Sequence, residues 1–298
     1  MLRFGLCCKF YIEKIKYREI RYIHLKKLSD DEKLSKLDEV ILHNLQALQE
    51  SINFCEANKI LAFRIGSSLL PLYTHPDLDY QIESLPSHTE ILARLTSLKA
   101  LAKQKNVRLS FHPDQFVILN SPREDVIENA IKDLEYHNYL SELLGADVIN
   151  IHAGGVYGDK VVALQRLERN VNRLSKGVRS RLTFENDDKS YTPQDLLPIC
   201  KRLGIPLVYD VHHHRCNKDQ MGEAEATRAA LKTWDREPLF HLSSPKEGWD
   251  GPKTNRHHDF IKPQDFPQIW KEIGSLTVDI EAKAKEVAVI KLMKDLSL

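Results

Sequence analysis

Three consecutive histidines, His212 to His214, follow an apolar run that ends in Asp210. The stretch reads LVYDVHHHRC over residues 207–216. Imidazole and carboxylate groups together are suitable ligands for zinc, manganese, iron and cobalt. A solvated turn is the alternative explanation for the histidines, so this stretch alone leaves open whether it holds a metal.

Six apolar runs carry a residue that could bind a metal at their last or next-to-last position. These residues are His112, His152, Glu185, Asp210, His241 and Glu281. The loops add His213 and the histidines of RHHDF, residues 256–260. A single histidine in such a place is more often a hydrogen-bonded structural residue, and a single carboxylate often caps the next helix. The joint occurrence in six runs favours metal binding.

This predicted ligand set holds more side chains than one tetrahedral ion needs, and it contains no cysteine. Several divalent ions bridged by a carboxylate fit the set better than one ion does. Clustered ions of this kind serve phosphodiester hydrolysis, in which they activate water and stabilise charge on the attacking and leaving oxygens. They also serve sugar isomerisation, so the residues alone leave the reaction open.

Strand patterns alternate with helical patterns along the whole chain. The predicted strands cover residues 2–7, 60–65, 107–112, 147–152, 181–185, 206–210, 238–242 and 276–281. Between the first two, apolar residues recur every three or four positions from Leu37 to Ile52, which is typical of an amphipathic helix. Eight such units predict a (β/α)8 TIM barrel that forms a single domain over residues 1–298. The fold would bring the six strand-end residues to one rim, where barrel enzymes place their chemistry.

An open doubly wound sheet is the alternative fold. It is disfavoured because CCKFYIEK, not a glycine-rich phosphate loop, follows the first predicted strand. A helix is also predicted from the N-cap Thr192 and Pro193 to Gly204, and Pro198 inside it should shorten or kink it.

Composition restricts the setting and the partners. The net charge is only +1, so binding to nucleic acid would need a local basic face. Candidates for that face are the loop residues Arg123, Lys189, Lys246, Lys253 and Arg256. Five scattered cysteines without a CxxC pair favour reduced thiols. With no recognisable secretory signal and no run of 18 apolar residues, the sequence predicts a cytoplasmic protein without a membrane partner. We expect it to be a monomer.

Seven stretches together resemble the UV damage endonuclease family over nearly the whole chain. They are FRIGSSLLPLYTHP (63–76), SFHPDQFVILNSP (110–122), VINIHAGG (148–155), LTFEND (182–187), YDVHHH (209–214), HLSSP (241–245) and EAKAKE (281–286). The resemblance implies a barrel akin to apurinic endonucleases and xylose isomerases. It also implies a DNA-repair enzyme that nicks double-stranded DNA 5′ of pyrimidine dimers and 6-4 photoproducts, leaving a 3′-hydroxyl and a 5′-phosphate.

The resemblance implies two to three divalent ions per chain, manganese being the usual one and zinc, cobalt or magnesium the alternatives. It assigns His112, His152 and Glu185 to one ion. Glu185 bridges to a second ion, which Asp210, His241 and Glu281 complete. His213 joins a histidine of RHHDF at a third ion, with His257 as the better match and His258 as the alternative. Glu185, Asp210 and Glu281 are the expected catalytic carboxylates, while His212 and His214 are left as supporting or solvated residues.

The resemblance also implies DNA contacts. Gln115 and Phe116 stand where the family inserts a polar and an aromatic residue at the lesion. The alternative for Phe116 is the first core residue of FVIL, residues 116–119. His75 and Arg64 match lesion- or phosphate-facing positions.

Three residues depart from the family pattern. Leu6 and Phe10 replace an aromatic residue and an amide, and Leu239 stands where a lysine is common. Lesion contacts from the first strand are therefore in doubt, but the ligand set is unaffected. Three other functions stay open on the residues alone: an apurinic endonuclease, a sugar isomerase or epimerase, and a DNA-distortion sensor that cuts nothing.

Overall fold

Residues 1–297, the part of the chain that the computed structural model describes, contain eight strands in one parallel sheet. The strands are β1 (Leu2–Cys7), β2 (Ala62–Ile65), β3 (Arg108–Phe111), β4 (Ile149–His152), β5 (Leu182–Glu185), β6 (Leu207–Val208), β7 (Leu239–Leu242) and β8 (Leu276–Ile280). Their spatial order is β6-β5-β4-β3-β2-β1-β8-β7. A parallel bridge between Asp210 and His241 joins the two ends of the sheet. The predicted (β/α)8 barrel is thereby confirmed, and the doubly wound alternative is wrong.

Within residues 1–297 an α-helix follows every strand except β7, after which the chain forms only the short 3-10 helices Pro263–Asp265 and Gln268–Glu272. The α-helices are α1 (Tyr22–Leu25), α2 (Asp30–Ala57), α3 (His88–Gln104), α4 (Glu124–Leu144), α5 (Lys160–Val171), α6 (Lys176–Arg181), α7 (Pro193–Leu203), α8 (Val211–Cys216), α9 (Glu223–Leu231) and α10 (Lys285–Asp295). The longest helix, α2, begins at a capping box formed by Ser29 and Glu32. Thr192 and Gly204 cap α7 as predicted, and this eleven-residue helix continues through Pro198. Within residues 1–297 no helix is both long and apolar enough to cross a membrane.

Polar side chains close the amino-terminal end of the barrel. The guanidinium of Arg108 donates to both carboxylate oxygens of Asp147, at 3.0 and 2.8 Å, and to the Thr277 hydroxyl at 3.0 Å. Above this floor, Leu239 packs with Val148 and Val208 in a small apolar cluster. The position where the family often has a lysine is thus used here for packing.

Inward-facing positions recur every second residue along each strand. At the carboxyl ends of the strands, the inward-facing positions hold polar side chains. This polar layer contains the six predicted strand-end ligands.

Candidate metal centre

Glu185 lies at the centre of the rim, at the end of β5, and none of its surface is exposed. Its Oε2 is 3.0 Å from Nε2 of His112 and 4.0 Å from Nε2 of His152. Its Oε1 is 3.2 Å from Nδ1 of both His213 and His241. Side chains from four other segments therefore converge on this carboxylate, as the sequence pattern predicted.

Three overlapping groups of side chains could each hold an ion, with their ligand atoms within 4.8 Å of one another. The groups are His112–His152–Glu185, His112–His241–Glu281 and Glu185–Asp210–His213. Because Glu185 and His112 each belong to two groups, bound ions would share ligands. The predicted grouping is reproduced for the first ion, while Asp210 and His213 lie together rather than with separate ions.

Four buried atoms of this cluster have no hydrogen-bond partner within residues 1–297: Glu185 Oε1, Asp210 Oδ2, His152 Nδ1 and His241 Nδ1. Buried polar atoms in proteins nearly always form hydrogen bonds, so several unpaired atoms in one place indicate a ligand-binding site. Carboxylate oxygens and imidazole nitrogens are the donors that a divalent transition ion prefers. The residues present therefore fit the metal that the sequence predicted.

The charges of the site favour cations. Burial raises the pKa of Glu185, but the positive charges of His241 and His152 and the close approach of the His112 and His213 rings hold it well below its usual range. Burial lowers the pKa of His213, but Asp210 and Glu185 raise it well above its ordinary value. Binding of a cation at His213 would therefore displace a proton.

Two residues beneath Glu185 orient it. Asn150 donates from Nδ2 to Glu185 Oε2 at 2.5 Å, and the Thr183 hydroxyl donates to Asn150 Oδ1 at 3.0 Å. The sequence analysis did not identify either one. Their positions in the sequence could have identified them. Asn150 precedes His152 by two residues and Thr183 precedes Glu185 by two, so each side chain faces the barrel interior as its neighbour does.

The HHH stretch forms the short helix α8, not a solvated turn. Asp210 caps this helix through Oδ1, which accepts from the His213 N–H at 2.7 Å, and turns Oδ2 into the site. Capping and ligation, which seemed alternatives for this aspartate, are therefore both available to it. His214 is buried between the Tyr209 hydroxyl at 2.8 Å and Asp219 Oδ1 at 3.0 Å.

His212 is fully buried, with its ring against those of Trp249 and His257. Of the two alternatives for His212 and His214, supporting or solvated, burial excludes the solvated one. His257 Nδ1 lies 3.8 Å from Glu281 Oε2, while His258 Nδ1 accepts from the Phe260 N–H at 2.9 Å within its own turn. His257 is thus on the metal side, at the edge of the three groups.

The predicted lesion-contacting residues lie in different environments. Phe116 is 75% exposed in the loop after β3, next to exposed Gln115, so its alternative placement in the core is wrong. His75 stacks on Tyr22 with ring centroids 4.1 Å apart. Arg64 is only 7% exposed and pairs with Asp279 and Glu281. It lies beneath the surface rather than on it.

Leu6 is buried, and Phe10 packs on Phe54 and Phe63. The two departures from the family pattern in this region therefore serve the core.

A basic segment that the sequence analysis missed follows β1 on the rim side. Residues 8–28, here called the β1 loop, contain seven Lys and Arg and two Glu, a net charge of +5. Its Tyr11 and Ile12 are 68% and 67% exposed. The carboxylate of Glu286 holds the loop by accepting from the backbone N–H groups of Tyr11, Ile12 and Glu13 at 2.7, 2.7 and 3.1 Å. The excess of Lys and Arg in residues 8–28 could have identified this segment from the sequence.

A cavity of roughly 670 Å³ opens beside Glu281 and His257. Five basic side chains line it: Lys9, Arg64, Arg256, Lys283 and Lys285. Of the basic residues predicted for the rim, Arg256 lines this cavity, Arg123 pairs with Asp125, and Lys189, Lys246 and Lys253 are exposed. Anionic substrate would thus find positive charge directly beside the candidate metal centre.

Known proteins resemble this chain over most of its length. A UV DNA damage endonuclease of Bacillus thuringiensis subsp. konkukian is 34% identical over 293 residues, which cover 94% of this chain and 89% of the relative. The crystal structure of SacUVDE matches with a TM-score of 0.88 at 29% identity, covering 100% of this chain and 98% of that one.

More distant structures share the fold alone. Endonuclease IV from Thermus thermophilus matches with a TM-score of 0.61 at 14% identity, covering 99% of this chain and 97% of that one. A D-psicose 3-epimerase from Clostridium cellulolyticum gives 0.58 at 15%, covering 99% and 91%. The sequence profile of the family described as UV-endonuclease UvdE matches residues 2–298. The chain belongs to that family.

Proposed function

We propose that this protein is a divalent-metal-dependent endonuclease that nicks double-stranded DNA 5′ of UV photolesions, leaving a 3′-hydroxyl and a 5′-phosphate. The observation that carries the proposal is the convergence of His112, His152, His213 and His241 on buried Glu185 in a member of this family. Pyrimidine dimers and 6-4 photoproducts are the proposed substrates, and manganese is the proposed ion, at two to three per chain.

The candidate ligands would each contribute to one or more of the ion sites. His112, His152 and Glu185 would hold one ion, and Glu281, His241, Asp210, His213 and His257 would complete the others. Divalent ions bound there would supply activated water and would stabilise charge on the attacking and leaving oxygens. Asn150 keeps the Glu185 carboxylate facing its histidines through their 2.5 Å hydrogen bond. We propose Glu185, Asp210 and Glu281 as the catalytic carboxylates.

Recognition of damage would belong to the exposed residues of the rim. Phe116, 75% exposed, can enter the base stack without disturbing the core, and Gln115 beside it can hydrogen-bond to displaced bases. A distorted dimer stacks weakly, so displacing it costs less than displacing intact bases. The +5 β1 loop and the basic cavity would bind the flanking phosphates.

The decisive experiment is a denaturing gel with manganese-loaded protein. Three duplexes are compared: one with a single thymine dimer, one intact and one with an abasic site. We expect a nick just 5′ of the dimer, no cutting of the intact duplex, and no cutting in the presence of EDTA. Cutting of the abasic duplex alone would instead indicate an apurinic endonuclease. Absence of cutting by protein that contains metal would refute both and direct attention to sugar substrates.

A further inference from the structure

Asp279 lies on β8 two residues before Glu281, faces the barrel interior and is 1% exposed. Its neighbours in register are Gly5 on β1 and His241 on β7. It belongs to none of the three groups of candidate metal ligands. A buried carboxylate therefore lies directly below the cluster without belonging to any of its groups.

Asp279 is joined to the cluster through Arg64. Nε of Arg64 lies 3.1 Å from Asp279 Oδ2, and its Nη2 lies 2.6 Å from Glu281 Oε1 and 2.9 Å from Cys7 Sγ. Since Arg64 is 7% exposed, its positive charge is held inside the barrel beside a candidate ligand. Without a counter-charge, it would repel divalent cations and compete with them for Glu281.

Asp279 also faces His241, whose Nε2 is 3.9 Å from Oδ2. Nδ1 of the same ring lies 3.2 Å from Glu185 Oε1, on the metal side. When a cation occupies Nδ1, the ring proton must lie on Nε2, where the negative charge of Asp279 stabilises it electrostatically.

The barrel makes room for this carboxylate. A Cβ atom at Gly5 would overlap Oδ1 of Asp279, so any larger residue at this position of β1 would displace the carboxylate. Oδ1 is buried and has no hydrogen-bond partner in the described part of the chain, residues 1–297. An unpaired buried oxygen destabilises the fold, and an apolar residue at this position would avoid that loss of stability. The carboxylate therefore indicates that its negative charge has a function.

We propose that Asp279 is a positioning residue of the metal centre: it neutralises Arg64 and orients His241, so that Glu281 and His241 remain available to a divalent cation. This inference rests on the proposed metal centre and is independent of which DNA lesion is cut.

The test measures metal affinity rather than nicking. Manganese is titrated by calorimetry into the chelator-stripped full chain, and the unfolding temperature of each metal-free protein is recorded. Three variants are compared with the wild-type chain: Asp279→Asn, the double variant Asp279→Asn/Arg64→Gln, and the control Asp38→Asn. Asp38 is a suitable control because it is also buried, at 7% exposed, but accepts from Ser87 on the outside of the barrel.

We expect Asp279→Asn to weaken manganese binding by about 10- to 100-fold, the usual effect of losing a partner of a metal ligand. The double variant should recover most of this loss, because the uncompensated cation is removed with its counter-ion. Asp38→Asn should bind as the wild type does, whatever its unfolding temperature. Recovery in the double variant is the outcome that a merely structural role would not produce.

Wild-type affinity in Asp279→Asn would overturn this inference and leave the proposed function intact. So would a double variant that binds as weakly as the single one. If Asp279→Asn does not fold, the double variant decides alone, since both of its buried charges are gone: near-wild-type affinity supports the role and a loss of about 10- to 100-fold contradicts it. Failure of the wild-type chain to bind manganese would refute the metal centre itself.

Discussion

Glu185 is the single side chain on which most of the chemistry should depend, because four histidines lie within 4.0 Å of its two oxygens. Replacing one of those oxygens with an amide nitrogen in Glu185→Gln removes the shared negative charge. We expect nicking of dimer-containing DNA to fall by about 10³-fold or more, which corresponds to about 4 kcal/mol of barrier. Binding to damaged duplex should stay measurable, because Glu185 is buried beneath the DNA-facing surface.

The comparison is made by gel assay and by fluorescence anisotropy on the same preparations. Glu50→Gln, on the outer surface of α2, serves as the matched control and should nick normally. Normal nicking by Glu185→Gln would remove this carboxylate from the mechanism.

Phe116 should determine discrimination rather than cleavage. Stacking of an aromatic side chain on a base contributes about 1–3 kcal/mol. Phe116→Ala is therefore expected to reduce the preference for dimer-containing over intact duplex by roughly tenfold, at the lower end of that range. Because the ring is 75% exposed, the unfolding temperature should not change.

Phe116→Tyr retains the ring and should retain the preference, as measured by competition binding with the two duplexes. A Phe116→Ala protein that still prefers the dimer as strongly as the wild type would assign damage recognition to other residues.

At the residue scale, what the sequence could predict follows from strand periodicity. Residues at strand ends are visible in the sequence because a buried strand rarely ends in histidine or carboxylate without a reason, and all six converge as expected. The polar residues beneath them are less visible. Asn150, Thr183 and Asp279 resemble ordinary strand residues until closure of the barrel brings their side chains together, which depends on register across strands distant in sequence.

Among the elements, the β1 loop should contribute most to DNA affinity. Lys14 and Lys16 are exposed and form no ion pair among the residues described, 1–297. If each contacts one phosphate, Lys14→Gln/Lys16→Gln should reduce the slope of log affinity against log salt by about 1.8, since each contact contributes about 0.9. Affinity at low salt should fall for damaged and intact duplex alike, because phosphate contacts carry no sequence or lesion information.

Lys59→Gln/Lys103→Gln provides a control of equal charge. These two lysines lie at or near the turns that precede β2 and β3, at the opposite end of the barrel from the cluster. Equal salt slopes for the two double variants would contradict a DNA-binding role for the β1 loop.

Element boundaries show where local patterns fail. The sixth strand was predicted over residues 206–210, but β6 spans only Leu207–Val208. The chain turns at Asp210 because its side chain caps α8, and α8 itself was not predicted. A six-residue helix has too little intrinsic stability to be visible in the sequence, and contacts such as those of His214 with Tyr209 and Asp219 hold it.

For the molecule as a whole, the net charge of +1 conceals a strong asymmetry. The β1 loop carries +5, so the remaining residues carry a net −4. The total charge counts against DNA binding, whereas the distribution of charge along the chain favours it, because attraction to phosphate depends on the field at one face. The sequence contains this information, but the fold is needed to place the loop on the same rim as the ligands.

Metal removal should affect the stability of the whole barrel, since the candidate ligands join β3, β4, β5, β6, β7 and the end of β8. A ligand that binds only the folded state stabilises it by about 2.7 kcal/mol at a free concentration about 100 times its Kd. For a chain of 298 residues this corresponds to a rise in Tm of roughly 5 °C. We therefore expect EDTA-treated protein to unfold that much earlier, and added manganese to restore the original Tm. In Glu185→Gln the same addition should raise the Tm far less, because the shared ligand is lost. Identical melting curves with and without manganese, measured by circular dichroism, would contradict a resident metal centre.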